Sequence, residues 1–529
     1  MALMKTPGVY VVEKTAFPNT VVEVATAVAA FIGYTEKAEK AGNDGQALVR
    51  KPWPIASMTE FEQYFGGPPQ PCFTLKVVDD PTADPSPAID MRGPRPQVST
   101  FEHQGRTYRL TRAAGKAGHG YRMHAAMRHF FQNGGGPCYV VSVGVYGDAA
   151  SAPEIDGRSL IDGIALLLKE QEPTLVVVPD AVSLPSADCA AVQAAMLMHC
   201  GGEMRNRFAI LDVWGGDCSR QDPAGDCIDS FRNALGPNFL DFGAAYYPWV
   251  HTTLMQTSDF RYWMVENTAE LAALIGDALQ LDTRPVGDPQ AEPQRQALAD
   301  VAKAQVDPGT RRIERDESLL AMSTLYARVR DEALRQMNLM PPSAAMAGLY
   351  TAVDHARGVW AAPANIAMAG VLAPAVAISG AEQEDLRAPL SGKSINAIRS
   401  FTGEGVLVWG ARTLDGNSLD WRDVNLRRTM IMLEESCKLA TKAFVFEPNT
   451  VATWTTLQAM IARYLTGVWQ HGGLMGATPE DAFSVQVGLG QTMTPDDVLE
   501  GVLRITVLVA LRRPAEFIEI TFQQQMQKS

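Results

Sequence analysis

The sequence lacks the short motifs that mark the common catalytic and metal sites. It has no Gly-x-Ser-x-Gly elbow, no His-Glu-x-x-His pair, no EF-hand loop and no Walker A sequence. Its seven cysteines include no pair at the two-residue spacing of zinc sites. We therefore predict no metal, no cofactor and no enzymatic activity, and we interpret the cysteines as free thiols in a reducing compartment.

The sequence also has fewer positive than negative residues and few long apolar runs. Lys and Arg number 46 against 59 Asp and Glu, a net charge of -13, which argues against direct nucleic-acid binding. The uncharged stretch 358–381 is interrupted by Pro363, Asn365 and Pro374, so we predict no membrane insertion. No secretory signal precedes the apolar run 21–33.

What is present is an alternation of helical and apolar strand patterns. The length predicts roughly three domains. Over 157–247, strands at 174–178, 207–213 and 241–247 alternate with helices, which indicates a largely parallel sheet covered on both faces. Asp180 and Asp212 follow two of these strands, where an α/β enzyme would bind a ligand, or where they could simply cap loops.

Two proline-rich polar segments, about 66–120 and 283–316, are predicted to be surface insertions, the first with a hairpin near 103–106. A long helix is expected over 316–337. Another amphipathic helix over 450–470 carries an apolar stripe that includes Leu457, Ile461 and Leu465, with Arg463 off the stripe.

The most densely patterned stretch is 401–449. Its pattern predicts a strand over 404–411, a turn at 414–417, a short strand over 423–426, a helix over 427–443 and a strand over 443–446. We interpret it as one compact α/β unit without an active site.

Several segments of this chain occur in an order that resembles one known family. They include Ile395-Asn396-Ala397-Ile398-Arg399, Val408-Trp409-Gly410-Ala411-Arg412, Val424-Asn425-Leu426-Arg427-Arg428, Glu434-Glu435-Ser436 and Phe446-Glu447-Pro448-Asn449. Together they resemble the C-terminal domain of contractile tail sheath proteins, which occur in phage tails and phage-tail-like injection particles.

The resemblance implies a multi-domain α/β (α+β) fold. An N-terminal arm and strand (1–32) and a C-terminal domain (395–529) would form an inner domain, completed by strands from neighbouring subunits. Residues 33–394 would form outer domains that carry the two insertions.

The donated strands are expected near the chain ends. The sequence Thr6-Pro7-Gly8-Val9-Tyr10-Val11-Val12 favours a strand, and so does Phe517-Ile518-Glu519-Ile520-Thr521-Phe522. These residues are the predicted inter-subunit arms, although an ordinary first strand would explain Val9–Val12 equally. Arg463 is the candidate contact to an inner tube, or a plain solvated arginine.

The family further implies self-assembly into stacked rings of six subunits around an inner tube, with baseplate and terminator proteins as partners. The particle would be a virion tail or an injection particle assembled in the bacterial cytoplasm. Contraction from a metastable extended state would drive the tube through a target envelope. A static self-assembling shell or baseplate protein is the alternative, and a hydrolase-like α/β enzyme is a more distant one.

Overall fold

The computed structural model describes residues 21–40, 47–78, 97–112, 120–146, 154–303 and 309–515. The chain forms two compact units: the large unit, Thr26–Arg428, and the small unit, of which residues 21–25 and 429–515 are described. This division differs from the predicted boundaries at 32/33 and 394/395. The first of these cuts a strand, and the second separates two strands that pair in one sheet.

The large unit is built from short strands and helices in alternation. Its strands are β1 Ala29–Thr35, β2 Trp53–Ile55, β3 Phe73–Val78, β4 Gln97–His103, β5 Arg106–Arg112, β6 Cys138–Val145, β7 Leu175–Val177, β8 Phe208–Asp212, β9 Gly243–Tyr247, β10 Val250–Thr252, β11 Leu339–Met340, β12 Ile366–Ala367, β13 Val371–Pro374, β14 Asn396–Phe401 and β15 Gly405–Trp409. Its helices are α1 Met58–Phe65, α2 Met123–Gln132, α3 Gly157–Ala165, α4 Ser186–Leu197, α5 Cys227–Ala234, α6 Thr268–Ala278, α7 Ala291–Ala302, α8 Gly309–Met322, α9 Thr324–Met337, α10 Ser343–Arg357 and α11 Gly380–Arg387.

Helix α12, Val424–Thr441, begins in the large unit and continues into the small one. The remaining elements belong to the small unit: α13 Val451–Gln470, α14 Pro479–Ala482, β16 Phe483–Gln486, α15 Pro495–Leu499 and β17 Thr506–Val509. The protein is therefore of the mixed α/β class, as predicted.

Nine strands of the large unit form one sheet in the order β12-β15-β14-β9-β8-β7-β1-β6-β2. The six strands from β14 to β6 run parallel, while β15, β12 and β2 are antiparallel to their neighbours. Strands β1, β7, β8 and β9 are buried along their whole length, as expected for a sheet covered on both faces. The predicted parallel sheet over 174–247 is confirmed.

A second hydrophobic core lies outside this sheet, in segments that the sequence analysis assigned to surface insertions. Strands β3, β5 and β4 form a three-stranded sheet with the predicted hairpin turn at Gln104-Gly105. Phe73 and Leu110 of this sheet are fully buried, together with Tyr326 and Val329 of α9. The described part of the predicted insertion over 66–120 thus contributes to a hydrophobic core, because the apolar positions between the prolines alternate and pack on helices.

Helices α7 and α8 lie within the predicted insertion over 283–316, so its proline-rich sequence is not irregular chain. Pro293 is the third residue of α7, in the first turn, where a backbone N–H has no partner within the helix and proline is tolerated. The expected single helix over 316–337 is divided between α8 and α9. Ser323 separates them, and its hydroxyl accepts a hydrogen bond from Tyr326 N at 3.1 Å as an N-cap.

The stretch 401–449 follows the prediction in part. Strand β15 and the turn at 416–417 are present. The strand predicted over 423–426 is instead the beginning of α12, and the strand predicted over 443–446 is a 3-10 turn, Lys442–Phe444. Four alternating residues do not distinguish a strand from a helix end whose polar residues are also buried, which is the situation of Asn425 and Arg427.

Candidate functional site

Asp180 occupies the position at which an open parallel sheet usually binds a ligand. The chain reverses its direction of travel across the sheet between β1 and β7, and Asp180 follows β7. Its buried carboxylate accepts hydrogen bonds from Tyr34 N at 2.7 Å and from Arg122 N, before α2, at 2.6 Å. Burial raises its pKa to about 6, although these bonds favour the charged form. Asp180 thus holds the beginning of α2 to the sheet.

Asp212, at the end of β8, binds the beginning of α10 as Asp180 binds the beginning of α2. It accepts hydrogen bonds from the backbone N of Ser343 at 2.8 Å and from the Ser343 hydroxyl at 2.5 Å, where α10 begins. Burial raises its pKa to about 6 as well. Both candidate acids therefore bind helix N-termini of their own chain, which supports a structural role for them.

The sequence segments that resemble sheath proteins contact each other in the large unit. The side chain of Asn396 donates to Arg412 O at 2.7 Å and accepts from Arg412 N at 2.7 Å. Asn425 donates to Trp360 O at 3.0 Å. These contacts join backbone segments 16 and 65 positions apart, so the motif residues contribute to the structure of the large unit.

The strongest polar contact among these segments is a buried ion pair at the beginning of α12. The Arg428 guanidinium donates two hydrogen bonds to Asp354, at 2.9 and 2.6 Å, and one to Thr26 O at 2.9 Å. It also lies 4.7 Å from the centre of the Tyr350 ring, whose hydroxyl hydrogen-bonds Tyr246 of β9. Arg428 therefore connects α12 and α10 to the chain just before β1.

The small unit contains a sheet with only two strands within the described chain. Phe483 to Gln486 of β16 pair antiparallel with Thr506 to Val509 of β17. The open edge of a sheet presents unpaired backbone groups with which another chain can pair. Leu508 of β17 is 58 % exposed. This sheet therefore has the features of one that further strands complete.

Exposed apolar side chains mark the same unit. Phe446 is fully exposed and has a φ of 75°, a left-handed conformation that is costly for an aromatic residue. Leu439, Val445 and Val451 are nearby in the sequence and also exposed. Such surface apolar groups in one segment are typical of protein–protein contacts.

The structure places one predicted site residue, Arg463, on the outside of α13. Leu457, Ile461 and Leu465 form the buried stripe of this helix, as predicted, and Arg463 is exposed. The predicted arms, Val9–Val12 and Phe517–Phe522, lie outside the described residues. Arg463 therefore stays a surface candidate.

Within the described ranges, no group of three His, Cys, Asp or Glu side chains could hold a metal ion. In the same ranges, no helix is both long and apolar enough to cross a bilayer.

Comparison with known proteins gives a consistent result. Residues 417–525 match the family model of the phage tail sheath C-terminal domain. The tail sheath protein of Enterobacteria phage T4 is 25% identical over 135 residues, which cover 26% of this chain and 20% of the T4 protein. The tail sheath protein of Vibrio phage KVP40 is 25% identical over 164 residues, 30% of this chain and 23% of that protein. The matched region thus spans only about a fifth of each of these two relatives.

Solved structures extend the similarity to the whole chain. The helical sheath of the anti-feeding prophage in its contracted state is 25% identical, with a TM-score of 0.58 over 99% of this chain and 100% of that one. The PVC sheath of an extracellular contractile injection system, also contracted, is 23% identical with a TM-score of 0.56 over 99% of both chains. The fold is therefore that of a contractile sheath protein. Residues 417–525 are thus similar to the phage tail sheath C-terminal domain, and the chain as a whole is similar to contractile sheath proteins.

Sequence reasoning missed the residues that connect the large unit, above all Asp354 and Arg428. Arg428 is the last residue of the motif Val424–Arg428, but its partner, Asp354, is 74 positions away in the sequence. The available signal was a lone aspartate, Asp354, on an otherwise apolar face of α10.

Proposed function

We propose that this protein is the sheath subunit of a contractile tail or injection particle, which polymerises helically around an inner tube and contracts from a metastable extended state. The observation that carries the proposal is the full-length similarity to the contracted anti-feeding prophage sheath. The C-terminal domain match supports it independently.

Strand exchange is the proposed means of polymerisation. The sheet of β16 and β17 has only two described strands, so it gains stability when a neighbour adds a strand by main-chain hydrogen bonding. Val9–Val12 and Phe517–Phe522 are the proposed donors. Such bonds join subunits through covalent linkers, which keeps them connected while packed faces rearrange.

The small unit is proposed to face the inner tube, and Arg463 to contact it. An exposed arginine on an acidic chain of net charge -13 gives a local attraction to an acidic tube surface. An exposed ion pair is worth at most about 1 kcal/mol, which is compatible with a sheath that must slide.

The other proposed partners are copies of the same chain in stacked six-subunit rings, the baseplate and a terminator protein. The particle would assemble in the bacterial cytoplasm and become part of a virion tail or an injection particle. No nucleotide is required in this proposal, since the energy is stored in the extended packing.

Electron microscopy of the purified protein tests the proposal directly. We expect tubes or stacked rings with a central channel, and, with the inner tube protein added, filled tubes. Closed shells or single flat rings would favour the alternative of a static shell or baseplate component. Particles that remain monomeric at every concentration would contradict both.

A further inference from the structure

A cavity of about 330 Å³ in the large unit has no role in the proposed sheath function. It lies between the core of the nine-stranded sheet and the second core, with Tyr121 and Arg122 on one side and Arg112 and Met337 on the other. It also lies beside Glu36, the residue that follows β1 at the reversal point of the sheet. Ligand sites of α/β proteins concentrate at such reversal points and at junctions between cores.

Two arginines line this cavity, and their surroundings differ. Arg122 is held by its neighbours: its Nε donates to Ser183 Oγ at 3.2 Å, its Nη1 to Leu339 O at 3.3 Å, and its guanidinium packs 4.8 Å from the centre of the Trp249 ring. The nearby carboxylates of Asp217, Asp180 and Asp212 compensate its charge. Arg122 is thus part of the structure of the wall.

Arg112 is the last residue of β5. Among the described residues, its guanidinium makes fewer contacts than that of Arg122. Its Nη1 donates to Gln97 Oε1 at 3.2 Å, a neutral partner. Burial and the positive charge of Arg122 lower its pKa to about 9. Arg112 is only partly buried, but its charge is repelled by that of Arg122, and an anion bound at Arg112 would reduce this repulsion.

Among the described residues, the two carboxylates that line the cavity keep their negative charge but hydrogen-bond to backbone amides rather than to Arg112. Glu36 accepts from Gly67 N at 2.6 Å, and Asp259 accepts from Gln256 N at 2.7 Å in a capping box.

The rest of the wall is apolar and adaptable. Met255, Met264, Met337 and Met340 line it, and methionine side chains adjust to ligands of irregular shape. Glu36 and Gln70 are exposed and mark its open side. A volume of about 330 Å³ is at the small end of the range for ligand pockets.

We propose that this cavity binds a small organic anion, with its acid group on the Arg112 guanidinium and its aliphatic part against the methionines. Guanidinium groups bind carboxylates and phosphates in the same forked geometry. The ligand would bridge the two cores of the large unit.

Octanoate is the probe, measured by isothermal titration calorimetry on the full chain, with octanol and inorganic phosphate as comparisons. We expect octanoate to bind, octanol not to bind, and phosphate to bind more weakly than octanoate. Arg112→Gln should weaken octanoate binding about 10-fold or more, since it removes charge-assisted hydrogen bonds. Arg106→Gln, the same change on an exposed residue of the same strand, is the matched control and should bind normally.

Equal binding of octanoate and octanol, or of octanoate by Arg112→Gln and the original chain, would overturn the proposal. So would equal affinity for phosphate and octanoate, because the methionine wall would then contribute nothing. If Arg112→Gln fails to fold, Met337→Gln in an otherwise unchanged chain must still weaken octanoate without affecting phosphate. None of these results depends on whether the protein forms tubes.

Discussion

At the scale of single residues, buried charges of this protein act on its own backbone and on each other. Asp180 and Asp212 bind the beginnings of α2 and α10, and Asp354 binds Arg428. From sequence alone, two of these carboxylates are candidate acids only by their position after a strand. Their hydrogen bonds to helix N-termini support the capping role, and that information is not present in local sequence.

Breaking the buried ion pair of Asp354 and Arg428 should lower the free energy of unfolding strongly. Asp354→Asn leaves a buried guanidinium without its counter-charge, so we expect a loss of about 3–5 kcal/mol in the free energy of unfolding. The matched control is Asp277→Asn, which breaks the half-exposed pair with Arg106 and should cost at most about 1 kcal/mol. Urea unfolding followed by circular dichroism measures both. Equal effects of the two substitutions would refute this interpretation.

At the scale of elements, strands of the parallel sheet were predictable because their continuous apolar runs have few alternative explanations. Leu175–Val177 and Phe208–Asp212 are examples. Short alternating segments were not predictable. The alternation of Val424 and Leu426 fits a strand as well as a helix, and these residues begin α12. Proline is ambiguous in the same way, since Pro293 indicates irregular chain by composition but lies in the first turn of α7, where proline is tolerated.

The predicted arms give an element-scale test. Deletion of residues 1–14 should leave a folded subunit that does not polymerise, because the donated strand is lost while the described cores are unaffected. Circular dichroism measures folding, and sedimentation with electron microscopy measures polymerisation. Normal tubes from the deleted chain would rule out donation by Val9–Val12.

Two point substitutions sharpen this test without shortening the chain. Val11→Pro removes a backbone donor from the arm and should reduce polymerisation. Val11→Ile keeps the β-branched side chain and the N–H, and should polymerise normally. Removal of residues 516–529 tests Phe517–Phe522 in the same assays.

At the scale of the whole molecule, stability should depend on pH through groups with opposite effects. His129 is fully buried, and burial lowers its pKa to about 4. The unfolded chain therefore binds the proton more tightly, and stability is lost as pH falls from about 6.5 toward 4. For Asp180 and Asp212, with folded pKa values near 6, the sign is reversed: stability is lost as pH rises from about 3.9 toward 6.

Substitution of His129 isolates its contribution to the pH dependence of stability. Relative to the original chain, His129→Leu should gain roughly 1.4 kcal/mol in free energy of unfolding for each pH unit between 6.5 and about 4. Urea unfolding at pH 7.0, 6.0 and 5.0 measures the difference, and His355→Leu is the matched exposed-histidine control. A difference that is constant with pH would show that His129 is not the acid-sensitive group.

The helix-binding carboxylates of the large unit have one more consequence. In a doubly wound enzyme, the amides at the head of a helix beside the sheet are vacant until a substrate or cofactor brings its negative charge. Here the chain itself supplies that charge from Asp180 and Asp212. The beginnings of α2 and α10 are thus attached to the sheet by side chains of the protein, and no visiting molecule is needed to neutralise them.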